Sequence, residues 1–103
     1  MRCIAFVRFP APAGLTGDKL RAVLEDGVPR YKGIPGLHRK YFLGNSSFGA
    51  GVYEWESRAT AQAFYNEIWR ERLRTVYGAV PQVEYFDVHA VVDNDDGTMR
   101  IDA

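Results

Sequence analysis

The sequence predicts an α+β domain of the ferredoxin-like kind, with a four-stranded antiparallel sheet covered by helices on one face. Its length of 103 residues is that of a single domain. Short runs of apolar and aromatic residues alternate with longer segments whose apolar residues recur at helical spacing. The resulting order is β-α-β-β-α-β. The right-handed crossover rule, applied twice to this order, places both helices on one side of the sheet.

The composition excludes several classes of protein. The chain is 47% hydrophobic and 25% charged, as in ordinary soluble domains. Its 13 basic and 13 acidic residues cancel, which removes the electrostatic argument for a nucleic-acid or membrane partner. A single cysteine, Cys3, allows neither an internal disulfide nor a cysteine-based zinc site. With no signal-peptide pattern and no apolar run of membrane-spanning length, we expect a cytoplasmic protein.

The first strand is predicted over residues 2–9, RCIAFVRF, because a nearly continuous apolar run is typical of a strand buried on both faces. Pro10 and Pro12 should end this strand. Thr16 or Asp18 can then cap the first helix, since a short polar side chain there accepts a hydrogen bond from a free backbone N–H group.

The first helix is predicted to be short. Its apolar residues at helical spacing are Leu20, Val23 and Leu24. Gly27-Val28-Pro29 should kink or break it, because proline lacks an N–H group and clashes with the preceding turn. We expect a second short helix after the break, carrying Tyr31.

Two strands joined by a hairpin follow. Residues 34–36, Ile-Pro-Gly, form a predicted turn, and LHRKYFL (37–43) is the second strand. The connection GNSSFG (44–49) is rich in turn residues, and the third strand is predicted over 48–56.

A single long helix is predicted after Ser57, which is a suitable N-cap. Gly78 is a suitable C-cap and Pro81 prevents continuation of the helix. The apolar stripe of this helix comprises Ala61, Phe64, Tyr65, Ile68, Leu73 and Val76.

The fourth strand is predicted over 82–92, QVEYFDVHAVV, and an acidic tail with a short final strand over 98–101 is predicted from about residue 93. The first and fourth strands are apolar on both faces, but two helices can cover only one face of the sheet. A second copy of the chain would bury the other face at the lowest cost, so we expect a homodimer.

A candidate ligand pocket is predicted above the third strand. Side chains alternate along a strand, so Gly49, Gly51, Tyr53 and Trp55 share one face. The two glycines leave space that the two aromatic residues enclose, which suits a flat aromatic ligand. Alternatively, the glycines let Tyr31 or the first helix approach closely, and Trp55 is an ordinary core residue.

Three charged or titratable residues of the strands are further candidates. Arg8 lies on an apolar strand and needs a partner, which is either Glu84 on the fourth strand or an anionic group of a ligand. His38 is in phase with charged Lys40, and His89 lies near Asp87, where it could act as a base. Each histidine could equally be structural or exposed.

Three segments resemble the YdhR-like monooxygenases, which belong to the dimeric α+β barrel proteins related to antibiotic-biosynthesis monooxygenases. They are IPGLHRKYFLG, GAGVYEWESRATAQAFYNEIWRERL and VEYFDVHAVVDN, between Ile34 and Asn94. The resemblance implies that two ferredoxin-like subunits join their sheets into a barrel. It also implies a ligand pocket between sheet and helices in each subunit.

The heme-degrading members of that wider group differ from this chain at the positions that matter. They use an asparagine on the first strand, a tryptophan early in the second helix and a histidine further along it. Here Phe64 replaces the tryptophan, Arg74 stands near the histidine position, and the first strand has no asparagine. We therefore do not expect heme degradation.

The expected activity is cofactor-independent oxygenation of a small aromatic or polyketide-like molecule. The sequence contains no dinucleotide fingerprint or phosphate loop, so we expect no flavin or nicotinamide cofactor. The substrate would be deprotonated and react with oxygen itself, and the protein would supply a dry pocket, a base and hydrogen bonds. Tyr31, Tyr53, Tyr85 and either His38 or His89 are the candidates for these roles. The alternatives are a non-catalytic dimeric ligand-binding module and a structural dimerisation domain with a filled core.

Overall fold

The computed structural model describes residues 1–10 and 16–103. The strands in this part of the chain are β1 (Cys3–Pro10), β2 (Leu37–Gly44), β3 (Phe48–Trp55), β4 (Gln82–Asp87), β5 (Ala90–Asp93) and β6 (Thr98–Ile101). Its helices are α1 (Gly17–Gly27), a 3-10 helix (Val28–Tyr31), α2 (Arg58–Phe64) and α3 (Glu67–Tyr77). None of these helices is long and apolar enough to cross a membrane.

The main sheet has four strands in the order β2-β3-β1-β4, and each neighbouring pair is antiparallel. This order results when two β-α-β crossovers both run over the same side of the sheet. A mixed chain with this sheet and helices on one side is compatible with the predicted ferredoxin-like α+β fold.

The break in the first helix is confirmed. The helix α1 ends at Gly27, and Pro29 lies in the first turn of the 3-10 helix, which ends at Tyr31. Proline is tolerated there because the first N–H groups of a helix have no partner within it. Thr16 occupies the N-cap position, although its side chain makes no capping hydrogen bond. Pro12, which was predicted to help end β1, lies outside the described residues.

The prediction of one long helix after Ser57 is wrong, because the segment forms two helices. Ser57 does cap α2, and its Oγ atom accepts a hydrogen bond from a first-turn N–H group at 3.1 Å. At Tyr65 the backbone leaves the helical region (φ −87°, ψ 56°), and Asn66 is extended. The Asn66 side chain then accepts a hydrogen bond from the Trp69 N–H group at 2.9 Å and caps α3. Asparagine favours such a break because its side chain competes for backbone N–H groups.

The prediction of one strand over 82–92 is also wrong. The strand β4 ends at Asp87, and the next two residues leave the main sheet. The Val88 N–H group still donates to the Arg2 carbonyl oxygen at 2.9 Å, but β5 pairs with β6 in a separate two-stranded hairpin. The predicted final strand over 98–101 is confirmed as β6, and Gly78 is the predicted C-cap of α3, in the left-handed conformation with φ 77°.

The main sheet has two different faces. The inner face, towards the helices, carries Cys3, Ala5 and Val7 of β1, all buried. The outer face carries the alternate residues of the same strands. On that face Tyr41 and Phe86 are each 51% exposed. The apolar character of β1 on both sides therefore leaves an apolar surface on a single chain.

An aromatic cluster fastens the inner face to α2 and α3. It is formed by Tyr53, Trp55, Phe64, Tyr65 and Trp69. The Trp55 indole N–H group donates a buried hydrogen bond to the Tyr65 hydroxyl oxygen at 3.1 Å. The rings of Trp55 and Phe64 lie 5.0 Å apart between centroids, within the range of favourable aromatic pairs. These contacts join β3 to both helices.

The cap at Asn66 predicts a defined loss of stability on substitution. Asn66→Ala removes the hydrogen bond to the Trp69 N–H group, so the free energy of unfolding should fall by about 1 kcal/mol. Chemical denaturation monitored by tryptophan fluorescence measures this change. Gln62→Ala, at an exposed position within α2, is the matched control and should change stability little. Equal losses in the two variants would contradict the capping role.

Candidate functional site

A cavity of about 520 Å³ lies between the inner face of the sheet and the helices α1 and α3. The apolar residues of α1 that line it are Leu20, Val23 and Leu24. The helix α1 has no buried residue, because its apolar stripe faces this space instead of a filled core. The volume lies within the range of small-molecule pockets.

The glycines of β3 give room to two neighbouring aromatic rings. A Cβ atom at Gly49 would clash with the ring of Phe9, which is its cross-strand partner. A Cβ atom at Gly51 would lie 2.9 Å from Cε1 of Tyr53. The close approach therefore comes from Phe9 and Tyr53, and not from Tyr31 or α1. Both rings line the cavity and form part of its floor.

Lys40 points into the cavity, and its role was not predicted from the sequence. Its Nζ atom lies 3.4 Å from the ring centroid of Tyr31, 3.9 Å from that of Phe42 and 4.4 Å from that of Tyr53. We call these three rings the lysine cage. Each is close enough to stabilise an ammonium group through its π electrons.

A β-bulge in β2 determines which residues of this strand face inwards. Leu37 pairs with Trp55 and Arg39 pairs with Glu54, so His38 is an extra residue in the ladder. Leu37 and Lys40 consequently share the inner face, although strict alternation would separate them. The bulge can be recognised in the sequence from the spacing of Leu37 and Phe42. Both face inwards, but they are an odd number of residues apart, and a regular strand would place such residues on opposite faces.

Lys40 has no anionic partner in the described part of the chain. Its Nζ atom makes no hydrogen bond or ion pair within residues 1–10 and 16–103, yet it is not sealed from solvent. Burial lowers the pKa of Lys40 to about 7, while the lysine cage favours the charged form. The other cation among the described lining residues is Arg30, which pairs with Asp26 at 2.8 Å. No carboxylate is found in that lining.

Two tyrosines that line the cavity, Tyr53 and Tyr77, stay protonated at neutral pH. Burial raises the pKa of Tyr53 and, to a smaller degree, that of Tyr77. A buried hydroxyl group that stays protonated can donate to an oxyanion but cannot remove a proton from a ligand. Of the residues lining the cavity, Lys40 is therefore the one whose titration near pH 7 suits a base.

The residues predicted from the sequence fall into three groups. Tyr31, Gly51 and Tyr53 line the cavity together. Trp55, which is 1% exposed, and Phe64 belong to the aromatic cluster behind it.

The remaining candidates lie away from the cavity, as far as the structure describes its lining. Tyr85 is on β4, where its ring centroid lies 6.1 Å from that of Tyr65. Arg8 is exposed on the outer face, with its guanidinium carbon 4.2 Å from the centroid of the Phe48 ring. The expected pair with Glu84 does not form within the described residues, because the register places Gln82 opposite Arg8.

Both histidines are exposed. His38 occupies the bulge of β2. His89 lies in the interruption between β4 and β5, where its carbonyl oxygen accepts a hydrogen bond from the Asp102 N–H group at 2.7 Å. Asp87, the residue expected beside His89, lies 3.7 Å from Arg58. Neither imidazole contributes to the described lining of the cavity.

No protein-family model matches this chain, and no curated protein matches it. Function is therefore inferred from the cavity, the lysine cage and the outer face.

The packing at Gly51 predicts that even a methyl group is costly there. Gly51→Ala places a Cβ atom 2.9 Å from the Tyr53 ring, so this buried ring must move and the free energy of unfolding should fall by about 1–3 kcal/mol. Gly44→Ala in β2 is the matched control, because no atom lies within 4 Å of the added Cβ position. Urea denaturation of both variants measures the difference. A Gly51→Ala protein as stable as the wild type would contradict the described packing.

Proposed function

We propose that the cavity binds a small, flat aromatic or polyketide-like molecule, and that the protein acts on it as a cofactor-independent monooxygenase of the YdhR-like kind. The observation that carries this proposal is the cavity of about 520 Å³, floored by aromatic rings and roofed by the apolar stripe of α1. A purely structural dimerisation domain would be expected to fill this space with side chains. Flat aromatic molecules suit such walls because rings stack favourably on rings.

The proposed chemistry needs few groups from the protein. Once the substrate is deprotonated, its carbanion form adds oxygen, and loss of water from the resulting peroxide leaves a carbonyl group. The substrate supplies the electrons, so the protein must exclude water, remove a proton and stabilise negative charge. Tyr31 and Tyr53 line the cavity, and the Tyr53 hydroxyl, which stays protonated at neutral pH, is the proposed donor to the developing negative charge.

The second candidate function is ligand binding without catalysis, on the same fold. One observation favours it: both histidines that the sequence offered as bases are exposed and lie outside the described lining of the cavity. A binding or sensing module needs the cavity and its aromatic walls but no base.

Oxygen uptake distinguishes the two functions. With a panel of phenols and polyketide-like enols, the wild-type protein should consume oxygen faster than spontaneous oxidation, and an anaerobic reaction should give no product. Tyr53→Phe removes a donor in the cavity and should lower the rate by about tenfold or more. Tyr41→Phe, which changes an exposed tyrosine of the outer face, is the matched control and should retain the rate.

Thermal-shift measurements with the same compounds complete this experiment. Stabilisation without oxygen uptake would support the binding module. If no compound in the panel gives stabilisation or oxygen uptake, both functions are contradicted.

We further propose that the protein is a homodimer that joins two outer faces. The support is the exposure of Tyr41 and Phe86 on that face, together with Val92, Met99 and Ile101 of the β5–β6 hairpin. An apolar surface of this kind is unusual on a monomer. Face-to-face pairing about a two-fold axis would bury the outer face of both chains at once. We expect about 1,600 Å² or more of buried surface, the size of a standard stable interface.

Sedimentation equilibrium at micromolar concentration should give twice the mass of one chain. Phe86→Glu places a charge on the outer face and should shift the protein towards monomer, since an unpaired charge is costly in an apolar interface. Val76→Glu is the matched control, because Val76 is 65% exposed on α3, and this variant should remain dimeric. A monomeric wild-type protein would contradict the dimer.

A further inference from the structure

The described lining of the cavity contains two basic side chains and no carboxylate. Lys40 brings an amine to the cavity, held between the rings of Tyr31, Phe42 and Tyr53. Arg30 is the other cation among the described lining residues, and it already pairs with Asp26 on the surface. A cation in an apolar setting without a counter-ion is costly, and an incoming anion would offset that cost.

We infer that the ligand of this cavity is an acidic phenol or enol, which gives its hydroxyl proton to Lys40 and binds as an oxyanion beside the resulting ammonium group. This inference rests on the proposed function, because it names the class of ligand and the residue that accepts the proton. In this step the O–H bond of the ligand breaks and an N–H bond forms at Nζ. The electron pair of the broken bond stays on the ligand oxygen, and no oxidant or reductant takes part.

Lys40 is better suited to accept the proton than the other titratable groups around the cavity. Besides Lys40, the titratable or charged side chains in the described lining of the cavity are Tyr31 and Arg30 from the 3-10 helix, Tyr53 from β3 and Tyr77 from α3. Burial raises the pKa of Tyr53 and Tyr77, and an arginine stays charged, so none of these three can accept a proton near neutral pH. Burial moves the pKa of Lys40 in the opposite direction, to about 7.

The lysine cage also fixes where the anion binds. Three rings surround Nζ at 3.4 to 4.4 Å, so the amine cannot turn towards bulk water without losing these contacts. Lys40 also lines the cavity, so a bound ligand can reach its amine. A phenolate would therefore place its oxygen at Nζ and its ring along the apolar wall formed by α1 and β3.

The test uses the full-length protein with two probes of nearly equal shape. 4-Nitrophenol can ionise, and its anion is detected by visible absorption; 4-nitroanisole cannot ionise. The variants are Lys40→Met, which keeps an unbranched apolar stem without the amine, and Lys40→Arg, which keeps a permanent charge. Lys32→Met, at an exposed lysine, is the control. Thermal denaturation of every variant establishes that it is folded.

Two results are expected from absorption. The wild-type protein and Lys32→Met should lower the apparent pKa of bound 4-nitrophenol by about one unit or more, because the ammonium group stabilises the anion. Lys40→Met should lose this shift and should bind 4-nitroanisole as well as the wild type does. An unchanged shift in Lys40→Met would overturn the inference.

Calorimetry in buffers of different ionisation enthalpy separates proton acceptance from simple charge attraction. At about pH 8 the Lys40 amine is mostly neutral and 4-nitrophenol is mostly ionised, so binding to the wild type should take up to about one proton from the buffer. Lys40→Arg should bind the anion without proton uptake, because arginine is already charged. Equal proton uptake by both proteins would overturn the role of Lys40 as acceptor.

The same probes separate failure of this inference from failure of the proposed function. Equal affinity of the wild-type protein for both probes, with no effect of Lys40→Met, would overturn the inference and leave the ligand-binding cavity in place. Absence of binding of either probe and of every compound in the phenolic panel would contradict the proposed function as well.

Discussion

The buried aromatic cluster around the Trp55–Tyr65 hydrogen bond is the contact on which the rest of the molecule depends. It holds α2 and α3 against one part of the sheet, and no comparable cluster fastens α1 in the described residues. The helix layer is therefore anchored on one side and stands away from the sheet on the other. The cavity is the space that this uneven attachment leaves, so the core and the candidate site have the same origin.

Much of the fold could be predicted because its local signals are strong. The break after Gly27, the cap at Ser57 and the left-handed glycine at Gly78 each follow from the chemistry of one or two residues. The interruptions at Asn66 and at His89 were missed for a physical reason. Apolar residues at the expected spacing continue across both positions, so periodicity alone predicts unbroken elements there. Asn66 carried the missing signal, because asparagine is a strong capping residue.

The candidate site was predictable to a smaller extent. Alternation along β3 correctly grouped Gly51 with Tyr53, and both line the cavity. Lys40 escaped attention because a lysine beside a histidine on a short strand resembles an ordinary solvent-exposed pair. Its inward orientation depends on the bulge at His38, and its low pKa depends on burial by rings from three separate segments. Neither property belongs to a local stretch of sequence, which is why only the folded chain reveals them.

The bulge has a consequence for how the strand can change in evolution. Because His38 is surplus to the ladder, losing its codon would leave Leu37 opposite Trp55 and Lys40 opposite Tyr53, with both still facing inwards. Loss of one residue between Lys40 and the hairpin turn would instead shift the alternation of side chains by one position. The side chains at one end of the strand would then lie on the opposite face of the sheet. The strand β2 can therefore lose the residue at position 38 and still keep the Lys40 amine in the cavity.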